Sequence, residues 1–589
     1  MAQFYFMRNP GKKEIRRRAA DRPLPDLPPV LGRIYAARGV KNADELDPAL
    51  SRLIPPARMD GLEAALDLLQ EAVEANARIL LVGDYDADGA TSCAVGVLGL
   101  RQLGAAEVGY LVPDRFGFGY GLTPGIVEVA AQLHPPPDVL ITVDNGIGSL
   151  EGVRAAHQYG MSVLVTDHHL PGATLPEADA IVNPKLPGNR FPSPNLAGVG
   201  VIFYVLLGLR ARLRDGGWFK RSDRPEPNFA ELLDLVALGT VADLVPLDRN
   251  NRILVAQGLK RINSGQCRPG IRALLEKAGR RAGRIAASDL SFGAAPRLNA
   301  AGRLEDMSLG IECLLADGDD AARAMAARLD TLNGERRAME KEMNEQALIE
   351  VERLCADRAE LPKAFCLYDP NWHEGIVGLI ASRVRERLNR PAIVFAPGTT
   401  GELKGSARSV EGLHIRDLLE AVDAERPHLI TRYGGHAMAA GLSLPPERLE
   451  EFREAFVRLA EAALTDEQLA EVLYTDGALD DEFLSLEFAD TLRAAGPWGQ
   501  GFPEPRFDGE FEVLDRLVVN DAHLKFRLRQ TPGGRVLDAW AFRSLRNGEG
   551  APAEGRLRVV YRLEANEYEG ARTPRLIIDY FEPIGNGDR

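Results

Sequence analysis

The sequence predicts an α/β protein of several domains that ends in a small β-barrel. Short apolar runs separated by helix-length segments recur after residue 78, which is typical of βαβ units in a parallel sheet. A proline-free, helix-like segment covers residues 319–353, and strand-like runs at hairpin spacing follow residue 496. The chain of 589 residues is long enough for roughly four compact units at about 150 residues each.

The first α/β domain is predicted over residues 61–318. Residues 1–60, rich in Arg and Pro, indicate an N-terminal arm or linker before it. Its parallel strands are predicted at the apolar runs RILLV (78–82), EVGYLV (107–112), DVLITV (138–143) and SVLVT (162–166).

Four further segments are predicted beyond the first domain. Residues 319–353 form a bridging helix, because the segment is rich in Ala, Arg, Glu and Met and contains a single glycine. Residues 354–460 contain strand-like FCLYD, AIVFA and GLSL and predict a second α/β domain. Residues 461–495 indicate a helical linker, and residues 496–589 a barrel.

The sharpest local motif is LLVGDYDADGATS, in which Asp84, Asp86 and Asp88 follow a buried strand. Three carboxylates at alternate positions repel one another unless a cation neutralises them. An EF-hand loop is excluded, because its twelfth residue would be Glu and is Val95 here. This motif alone does not distinguish two further possibilities, a phosphatase of the haloacid dehalogenase type with its D-x-D-G-x-T motif and a solvated acidic turn.

Two more strands end in acidic residues, DVLITVDNG at Asp144 and SVLVTDHH at Asp167, His168 and His169. The carboxyl ends of parallel strands meet at one edge of an open sheet, where ligands bind, so we expect these side chains to converge. Asp243 lies in the apolar stretch LVALGTVADLVPL and is costly to bury alone. It either joins this cluster or has a structural partner.

The converging side chains outnumber the ligands of one octahedral ion, which indicates two divalent ions. Mixed carboxylate and imidazole ligands favour Mn²⁺, with Mg²⁺ as the second choice, and no cysteine suggests structural Zn²⁺. Two neighbouring ions stabilise the oxygens of an in-line displacement at phosphorus. The pattern therefore favours phosphoester hydrolysis.

The motifs GDYDADG, VDNG, TDHH and ALGTVADLVP, in this order, resemble the four motifs of the DHH phosphoesterase superfamily. GGHAMAAG (434–441) is similar to the signature of the DHH-associated second domain. VPDRFGFGYGL, PRLNAAGRLEDMS, LNGERR, GSARS and GPWGQGFPEP extend the resemblance to the single-strand-specific 5′ exonucleases of that superfamily. The resemblance implies a parallel-sheet DHH catalytic domain, a long bridging helix, an α/β DHH-associated substrate-binding domain and a C-terminal OB-like β-barrel that binds nucleic acid.

The resemblance also implies roles for individual residues. His169 would face the scissile phosphate and act in catalysis with Asp167. Many superfamily members have His near the start of the first motif, where Asp84 stands here, so the ligands of one ion stay open. The metal ligands it implies are Asp84, Asp86, Asp88, Asp144, His168 and Asp243.

An acidic protein needs a local basic surface to bind nucleic acid. The chain has 71 Lys and Arg against 85 Asp and Glu, a net charge of −14, which argues against coating a duplex. Residues 252–303 hold eleven basic residues and two acids, so this segment carries +9 and the remainder −23. It predicts a nucleic-acid surface, with a solvated charged face as the alternative. We expect substrate contacts at Arg115, Arg297, Asn299 and Arg303.

In the second domain, GSARS and TRYGGHAMAAG combine small residues with phosphate donors. A purely structural role is the alternative for the histidine. The substrate-binding residues expected there are Ser406, Arg408, Gly434, Gly435 and His436. In the barrel, basic residues alternate with Phe526 and Trp540, which suits base stacking, but the sequence does not tell which aromatics stack.

The sequence as a whole predicts an exonuclease that hydrolyses single-stranded DNA from its 5′ end to mononucleotides, in recombination and repair. One alternative is a phosphodiesterase for oligonucleotides or cyclic dinucleotides, which the long chain and the barrel disfavour. Another is a non-catalytic DNA-binding replication scaffold, which the complete set of acidic positions disfavours.

The expected partner is single-stranded DNA with a 5′ end, and the resemblance adds a single-strand-binding protein. The five cysteines are scattered without C-x-x-C, and the N-terminus lacks a signal peptide. The longest apolar run, residues 197–209, is too short for a bilayer span of about 20 residues. We therefore expect a cytoplasmic monomer without membrane contact.

Overall fold

The computed structural model describes residues 13–19, 23–113, 120–356, 360–399, 401–520, 522–542, 544, 555–568 and 570–584. These residues divide into two compact units. The N-terminal unit contains residues 20–334 and 491–504, and the C-terminal unit contains residues 1–19, 335–490 and 505–589. The predicted α/β architecture with a terminal barrel is confirmed.

Strands and helices alternate over residues 78–158, helices follow one another over residues 198–355, and strands follow one another over residues 507–583. The strands are β1 (Glu14–Arg17), β2 (Arg78–Gly83), β3 (Glu107–Leu111), β4 (Val139–Val143), β5 (Ser162–Thr166), β6 (Ala180–Val182), β7 (Phe365–Tyr368), β8 (Ala392–Pro397), β9 (Leu403–Arg408), β10 (Arg432–Gly435), β11 (Ala439–Leu444), β12 (Val472–Thr475), β13 (Phe507–Val519), β14 (His523–Gln530), β15 (Val536–Ala541), β16 (Gly555–Tyr568) and β17 (Ala571–Pro583). The helices are α1 (Pro29–Ala36), α2 (Leu62–Glu74), α3 (Ala87–Leu103), α4 (Pro124–Ala131), α5 (Leu150–Gln158), α6 (Gly198–Asp215), α7 (Trp218–Arg221), α8 (Leu233–Ala242), α9 (Arg249–Asn263), α10 (Pro269–Lys277), α11 (Ala287–Asp289), α12 (Ala295–Leu304), α13 (Ser308–Leu315), α14 (Asp319–Cys355), α15 (Val377–Leu388), α16 (Ile415–Glu425), α17 (Leu449–Ala463) and α18 (Leu486–Ala494), with a π-helical turn at Leu290–Ala294.

The N-terminal unit is built on a parallel sheet of five strands in the order β3-β2-β4-β5-β6. Its central strands are almost continuously apolar because helices cover both faces. The chain passes to one side of β2 to form β3 and to the other side to form β4. This reversal leaves a crevice at the carboxyl ends of β2 and β4, where open α/β sheets bind ligands.

Residues 23–60, expected as part of an arm or linker, are partly folded instead. Val30, Ile34 and Tyr35 fall on one face of α1 and are buried. The Tyr35 ring stacks on Trp498 and Phe502, with centroids 5.9 and 6.1 Å apart. The helical spacing of apolar side chains therefore outweighs the proline-rich composition of this segment.

The C-terminal unit combines a five-stranded sheet in the order β10-β11-β9-β8-β7 with a closed barrel in the order β13-β14-β15-β17-β16. The expected bridging helix is α14, which runs from Asp319 to Cys355. The segment 461–495, expected as a helical linker, also contains β12, which pairs in parallel with β1. This long-range pairing provides backbone hydrogen bonds for a segment whose local pattern suggests helix.

No helix in the described part of the chain has the length and apolarity needed to cross a membrane. The thiols of Cys93, Cys313 and Cys366 are buried and free. They contribute to apolar packing, since burial raises the pKa of each thiol and keeps it neutral.

Candidate metal centre

Acidic residues follow three neighbouring strands at the carboxyl edge of the parallel sheet. Asp84 comes after β2, Asp144 after β4 and Asp167 after β5. The backbone amide of Asp144 donates to the Thr166 carbonyl at 3.1 Å, so the strand pairing continues into the site. The convergence predicted from the sequence is therefore present, at the crevice where the strand order reverses.

The ligand atoms of seven side chains fall into three groups, each with its atoms within 4.8 Å of one another. Asp144 and His168 each belong to two of the groups, which makes the cluster continuous. The groups are Asp144, His168 and His169; Asp88, His168 and Asp243; and Asp84, Asp86 and Asp144. All six predicted metal ligands are brought together, and their assignment as ligands remains a prediction.

The His168 ring and the Asp144 carboxylate fit a shared cation better than a direct hydrogen bond. His168 Nε2 lies 3.0 Å from Asp144 Oδ1 and 3.4 Å from Asp243 Oδ2. Both Nε2 and Oδ1 are buried, yet neither makes a hydrogen bond of acceptable geometry among the described residues. Buried polar atoms normally have partners, so a bound cation would satisfy both.

Burial and repulsion both oppose ionisation of the cluster. Burial is the main cause that raises the pKa of Asp144 and Asp243 well above its usual range, and neighbouring carboxylates add to it. The pKa of Asp88 rises to about 7, mainly through burial and then through the charge of Asp86. Burial lowers the pKa of His168 to about 3, so its ring is neutral and able to bind a metal.

The N-terminus of α6 positions Asp88. Its two carboxylate oxygens accept hydrogen bonds from the backbone amides of Gly198 at 2.7 Å and Val199 at 3.0 Å. A Cβ atom at Gly198 would lie 2.5 Å from the Asp144 Cβ and 2.8 Å from its Cα. Only glycine permits this close approach of α6 to the strand end.

Asp167 belongs to none of the ligand groups and instead supports His169, a member of the first group. Its Oδ1 accepts from the Nδ1 of His169 at 2.7 Å and from the amides of His168 and His169, while Oδ2 accepts from the Ile147 amide at 2.8 Å. Burial lowers the pKa of His169, but the hydrogen bond and charge of Asp167 outweigh it and raise that pKa to about 9. The His169 ring is therefore a cation at neutral pH in the metal-free protein.

Two of the predicted substrate contacts also have structural partners, and their contact with substrate stays a prediction. Arg297 is buried, and its guanidinium donates to the carbonyls of Gly293 and Lys277 and pairs with Asp330 at 2.8 Å. Asn299 Oδ1 accepts from the Ala87 amide at 2.7 Å at the start of α3. In the folded protein these two side chains hydrogen-bond to backbone groups and so help to position neighbouring elements.

Helix α12 lies directly against the first acidic loop. A Cβ atom at Gly302 would lie 1.8 Å from the Tyr85 carbonyl oxygen, between Asp84 and Asp86. This contact explains the small residues of PRLNAAGR and places Arg303, in the last turn of α12, next to that loop.

Arg115 lies outside the described residues, whereas Tyr120 from the same motif borders the centre. Its hydroxyl lies 3.3 Å from the Asp144 carbonyl oxygen, and its ring meets His169 edge-on with centroids 6.0 Å apart. Half of the Tyr120 side chain is exposed. The ring is thus at the surface of the site rather than in the core.

In the C-terminal unit, the predicted phosphate-binding residues lie on adjacent strands. Ser406 is opposite Gly441, and Gly441 is opposite Gly434, so the three residues form one row across β9, β11 and β10. Arg408 Nη1 lies 3.1 Å from Ser406 Oγ, and its Nε lies 3.1 Å from Ser382 Oγ.

The glycine turn beside this row is tightly constrained. Gly435 adopts φ +145°, and a Cβ atom there would lie 2.4 Å from the Ala439 carbonyl oxygen. The His436 amide donates to the same carbonyl at 2.8 Å. The row therefore has hydroxyl, guanidinium and open backbone in one place, which suits an anion.

The barrel separates its aromatic residues into core and surface. Phe526 is fully buried and belongs to the barrel core. Trp540 stacks on Phe542 with centroids 5.6 Å apart, Lys525 Nζ lies 6.0 Å from the Trp540 ring, and half of Phe542 is exposed. The Trp540–Phe542 pair, with Lys525 beside it, therefore has the aromatic face and the positive charge that suit base stacking.

Lys185 is a residue of the site that the sequence did not reveal. It follows β6 in an Asx-type turn, in which its amide donates to Asn183 Oδ1 at 2.8 Å while the Asn183 amide group donates to the His169 carbonyl at 2.9 Å. Burial lowers the pKa of the Lys185 amine, and the carboxylates of Asp243, Asp167 and Asp144 partly restore it. Strand β6 has three residues and was not among the predicted strands, so the sequence did not show that Lys185 lies at the carboxyl edge of the sheet.

Three family models match the chain. The DHH family, N-terminal domain, matches residues 78–240, the DHHA1 domain residues 361–462, and the RecJ OB domain residues 475–580.

Whole-chain relatives are similar over nearly the full length. The single-stranded-DNA-specific exonuclease RecJ of Dickeya dadantii is 50% identical over 575 residues, covering 97% of this chain and 99% of that protein. The enzyme of the same name from Escherichia coli is 49% identical, covering 97% and 99%. The crystal structure of RecJ from Thermus thermophilus in complex with Mn²⁺ is 30% identical with a TM-score of 0.77, covering 95% of this chain and 76% of that one. Its Mg²⁺ complex gives a TM-score of 0.71 at 29% identity, with the same coverage.

Proposed function

We propose, because the chain belongs to the RecJ family of single-stranded-DNA-specific exonucleases, that it hydrolyses single-stranded DNA from the 5′ end and releases mononucleotides. The observation that supports this most strongly is the continuous ligand cluster around Asp144 and His168. Burial makes it costly to ionise these carboxylates, and a protein that only binds DNA would have no need of them. A role in recombination and repair follows from digestion of unpaired strands.

Two divalent ions are the cofactors we propose, Mn²⁺ foremost and Mg²⁺ second, and the Thermus relative has been crystallised in complex with each of these metals. Asp84 and Asp86 share one ligand group with Asp144, while Asp88 and Asp243 share another with His168. Asp144 would help to hold metal in both groups, since it belongs to the first group and lies 3.0 Å from His168 in the second. When bound, the ions supply Lewis-acid activation of water and neutralise charge at phosphorus.

The chain itself supplies orientation and a fixed positive charge. His169, whose pKa is raised to about 9 in the metal-free protein, lies in one of the ligand groups and would face an oxygen of the scissile phosphate. Asp167 holds that ring through Nδ1 and thereby directs Nε2 outward. Lys185 adds a second positive charge in the field of the same carboxylates.

The strand is held outside the metal centre by three surfaces. The basic segment 252–303 attracts the backbone, the Ser406–Gly441–Gly434 row binds a phosphate, and the Trp540–Phe542 pair stacks on bases. Bases are available for such stacking in a single strand and covered in a duplex, which supports single-strand selectivity.

The protein acts as a cytoplasmic monomer, with a single-strand-binding protein as a partner. The free buried thiols of Cys93, Cys313 and Cys366 support a reducing compartment. A protein that coats the substrate is the natural source of the unpaired strand.

Digestion of single-stranded DNA labelled at either end tests the proposal. Wild-type protein with Mn²⁺ is expected to release labelled mononucleotides first from the 5′-labelled strand, and EDTA should abolish the release. Asp144→Ala should lower the rate by more than about 100-fold, since even residues that only support metal ligands contribute 10- to 100-fold.

A blunt duplex of the same sequence is the control for strand selectivity, and a length series of 5′-labelled strands separates a polymer exonuclease from an enzyme for short oligonucleotides. Equal rates for wild type and Asp144→Ala would refute the site. Faster release from the 3′ label would refute the polarity.

A further inference from the structure

Two strongly exposed apolar side chains belong to two segments that meet close to the predicted ligand Asp243. Phe292 is 75% exposed, and Leu244, which directly follows Asp243, is 60% exposed. The Ser291 hydroxyl donates to the Val241 carbonyl at 2.9 Å and joins the π-helical turn to the end of α8. Phe292 and Leu244 are therefore one and three residues away from the same hydrogen bond.

The backbone on both sides of that bond is unusual. Leu244 adopts φ +58°, a left-handed conformation that is uncommon outside glycine. Phe292 occupies the middle of a π-helical turn, a rare element that is frequent at functional sites. Single exposed apolar residues are ordinary on a protein surface. Two of them on irregular backbone next to an acidic cluster call for an explanation.

The turn is held firmly, so that Phe292 cannot withdraw into the core. Leu290 and Ala294 of the same turn are fully buried and anchor it from the inside. Arg297 Nη1 donates to the Gly293 carbonyl at 2.6 Å, and its guanidinium is itself fixed by Asp330. The buried arginine, expected from the sequence to bind substrate, thus stabilises the segment that exposes the aromatic ring.

We propose that Phe292, together with Leu244 on the other side of the Ser291–Val241 hydrogen bond, forms a stacking surface for an unpaired base next to the scissile phosphate. The proposal rests on the proposed function. Ser291, next to Phe292, is hydrogen-bonded to Val241, two residues before the predicted ligand Asp243, so a phosphate held at the ligand cluster would have its adjoining bases near this edge. An aromatic face binds bases of any sequence, while the bases of a duplex have both faces covered. Phe292 is therefore a specificity residue that favours single strands.

The test measures steady-state digestion of a 5′-labelled single strand by wild type and Phe292→Ala. The variant is expected to raise KM about tenfold, within the range of one lost base stack, with a smaller change in kcat. Phe292→Trp should restore KM, because the larger ring retains the stacking face. Tyr159→Ala is the matched control, since Tyr159 is 55% exposed in the same unit but follows α5 at the opposite edge of the sheet.

Strands with one abasic position, moved stepwise from the 5′ end, identify the base. At one position the abasic site should raise KM for wild type and have no further effect on Phe292→Ala, as expected for two changes that remove one interaction. If at every position the abasic site and Phe292→Ala raised KM independently, so that their effects multiplied, the proposal would be overturned. A change of molar mass in light scattering for Phe292→Ala would instead assign the surface to a second copy. If the wild type did not digest the strand at all, the proposed function itself would be refuted, and the role of Phe292 with it.

Discussion

The Nδ1 atom of His169 lies 2.7 Å from Oδ1 of Asp167, and this contact keeps the imidazole charged beside the metal ligands. Asp167→Asn preserves an acceptor for the backbone amides but removes the charge. We expect the pKa of His169 to fall from about 9 towards its usual 6.5 and activity to fall about 10- to 100-fold.

The pH–rate profile measures this effect. Because His169 is charged below its pKa, the loss in Asp167→Asn should be largest near pH 8 and smaller near pH 6. Asp179→Asn is the control, since Asp179 pairs with His157 at 3.0 Å on the surface. A profile for Asp167→Asn parallel to that of the wild type would contradict the assigned role.

The metal-free protein should lose stability as pH rises from about 4 to above 7. Asp88 is protonated in the folded protein up to about pH 7, whereas in the unfolded chain its pKa is 3.8. Between these values the folded state holds more protons, so the free energy of unfolding falls with increasing pH. Melting temperatures in EDTA at pH 5, 6, 7 and 8 check this sign, and Asp144→Asn should melt higher than wild type at pH 8.

Metal binding should show the opposite pH dependence. Mn²⁺ requires deprotonated carboxylates, so its affinity should fall below about pH 7, and binding should release protons. Calorimetric titration in buffers of different ionisation enthalpy measures both quantities. The rise in melting temperature caused by Mn²⁺ should be larger at pH 8 than at pH 6, and a pH-independent rise would exclude the buried cluster as the binding site.

Gly198→Ala should weaken the metal centre by displacement rather than by loss of a ligand. The added methyl would lie 2.8 Å from the Asp144 Cα, so either the strand end or α6 must move. We expect lower Mn²⁺ affinity and at least about a tenfold lower rate. Gly148→Ala is the matched control, because no atom lies within 4 Å of its Cβ position. Equal Mn²⁺ affinity in the two variants would argue against the close approach.

Trp540→Ala should weaken binding of long strands with little effect on short ones. Loss of one stacking face is expected to raise KM roughly tenfold for strands that reach the barrel, and melting temperature should change little. Phe526→Ala is the contrasting variant, since removal of this buried ring should cost about 3–5 kcal/mol and unfold the barrel. An equal KM increase on dinucleotides would show that Trp540 acts elsewhere.

Sequence alone was sufficient for the fold class and for the convergence of the predicted metal ligands at one edge of the sheet. Short apolar runs that end in Asp84, Asp144 and Asp167 carry both signals, because the order of parallel strands brings their carboxyl ends to one edge whatever the rest of the chain does. The barrel and the long helix were also predicted from local sequence patterns.

Only the tertiary structure assigned the individual side chains. Arg297 and Asn299 look like free donors and acceptors in the sequence, yet in the fold Arg297 donates to the Lys277 carbonyl and Asn299 accepts from the distant Ala87 amide. Phe526 and Trp540 are alike in pattern but fall on opposite sides of the barrel wall. Lys185 enters the site through a three-residue strand too short to recognise. The physical reason is common to all of these: a residue's type shows what it can bind, and contacts between distant segments decide which of its atoms remain available.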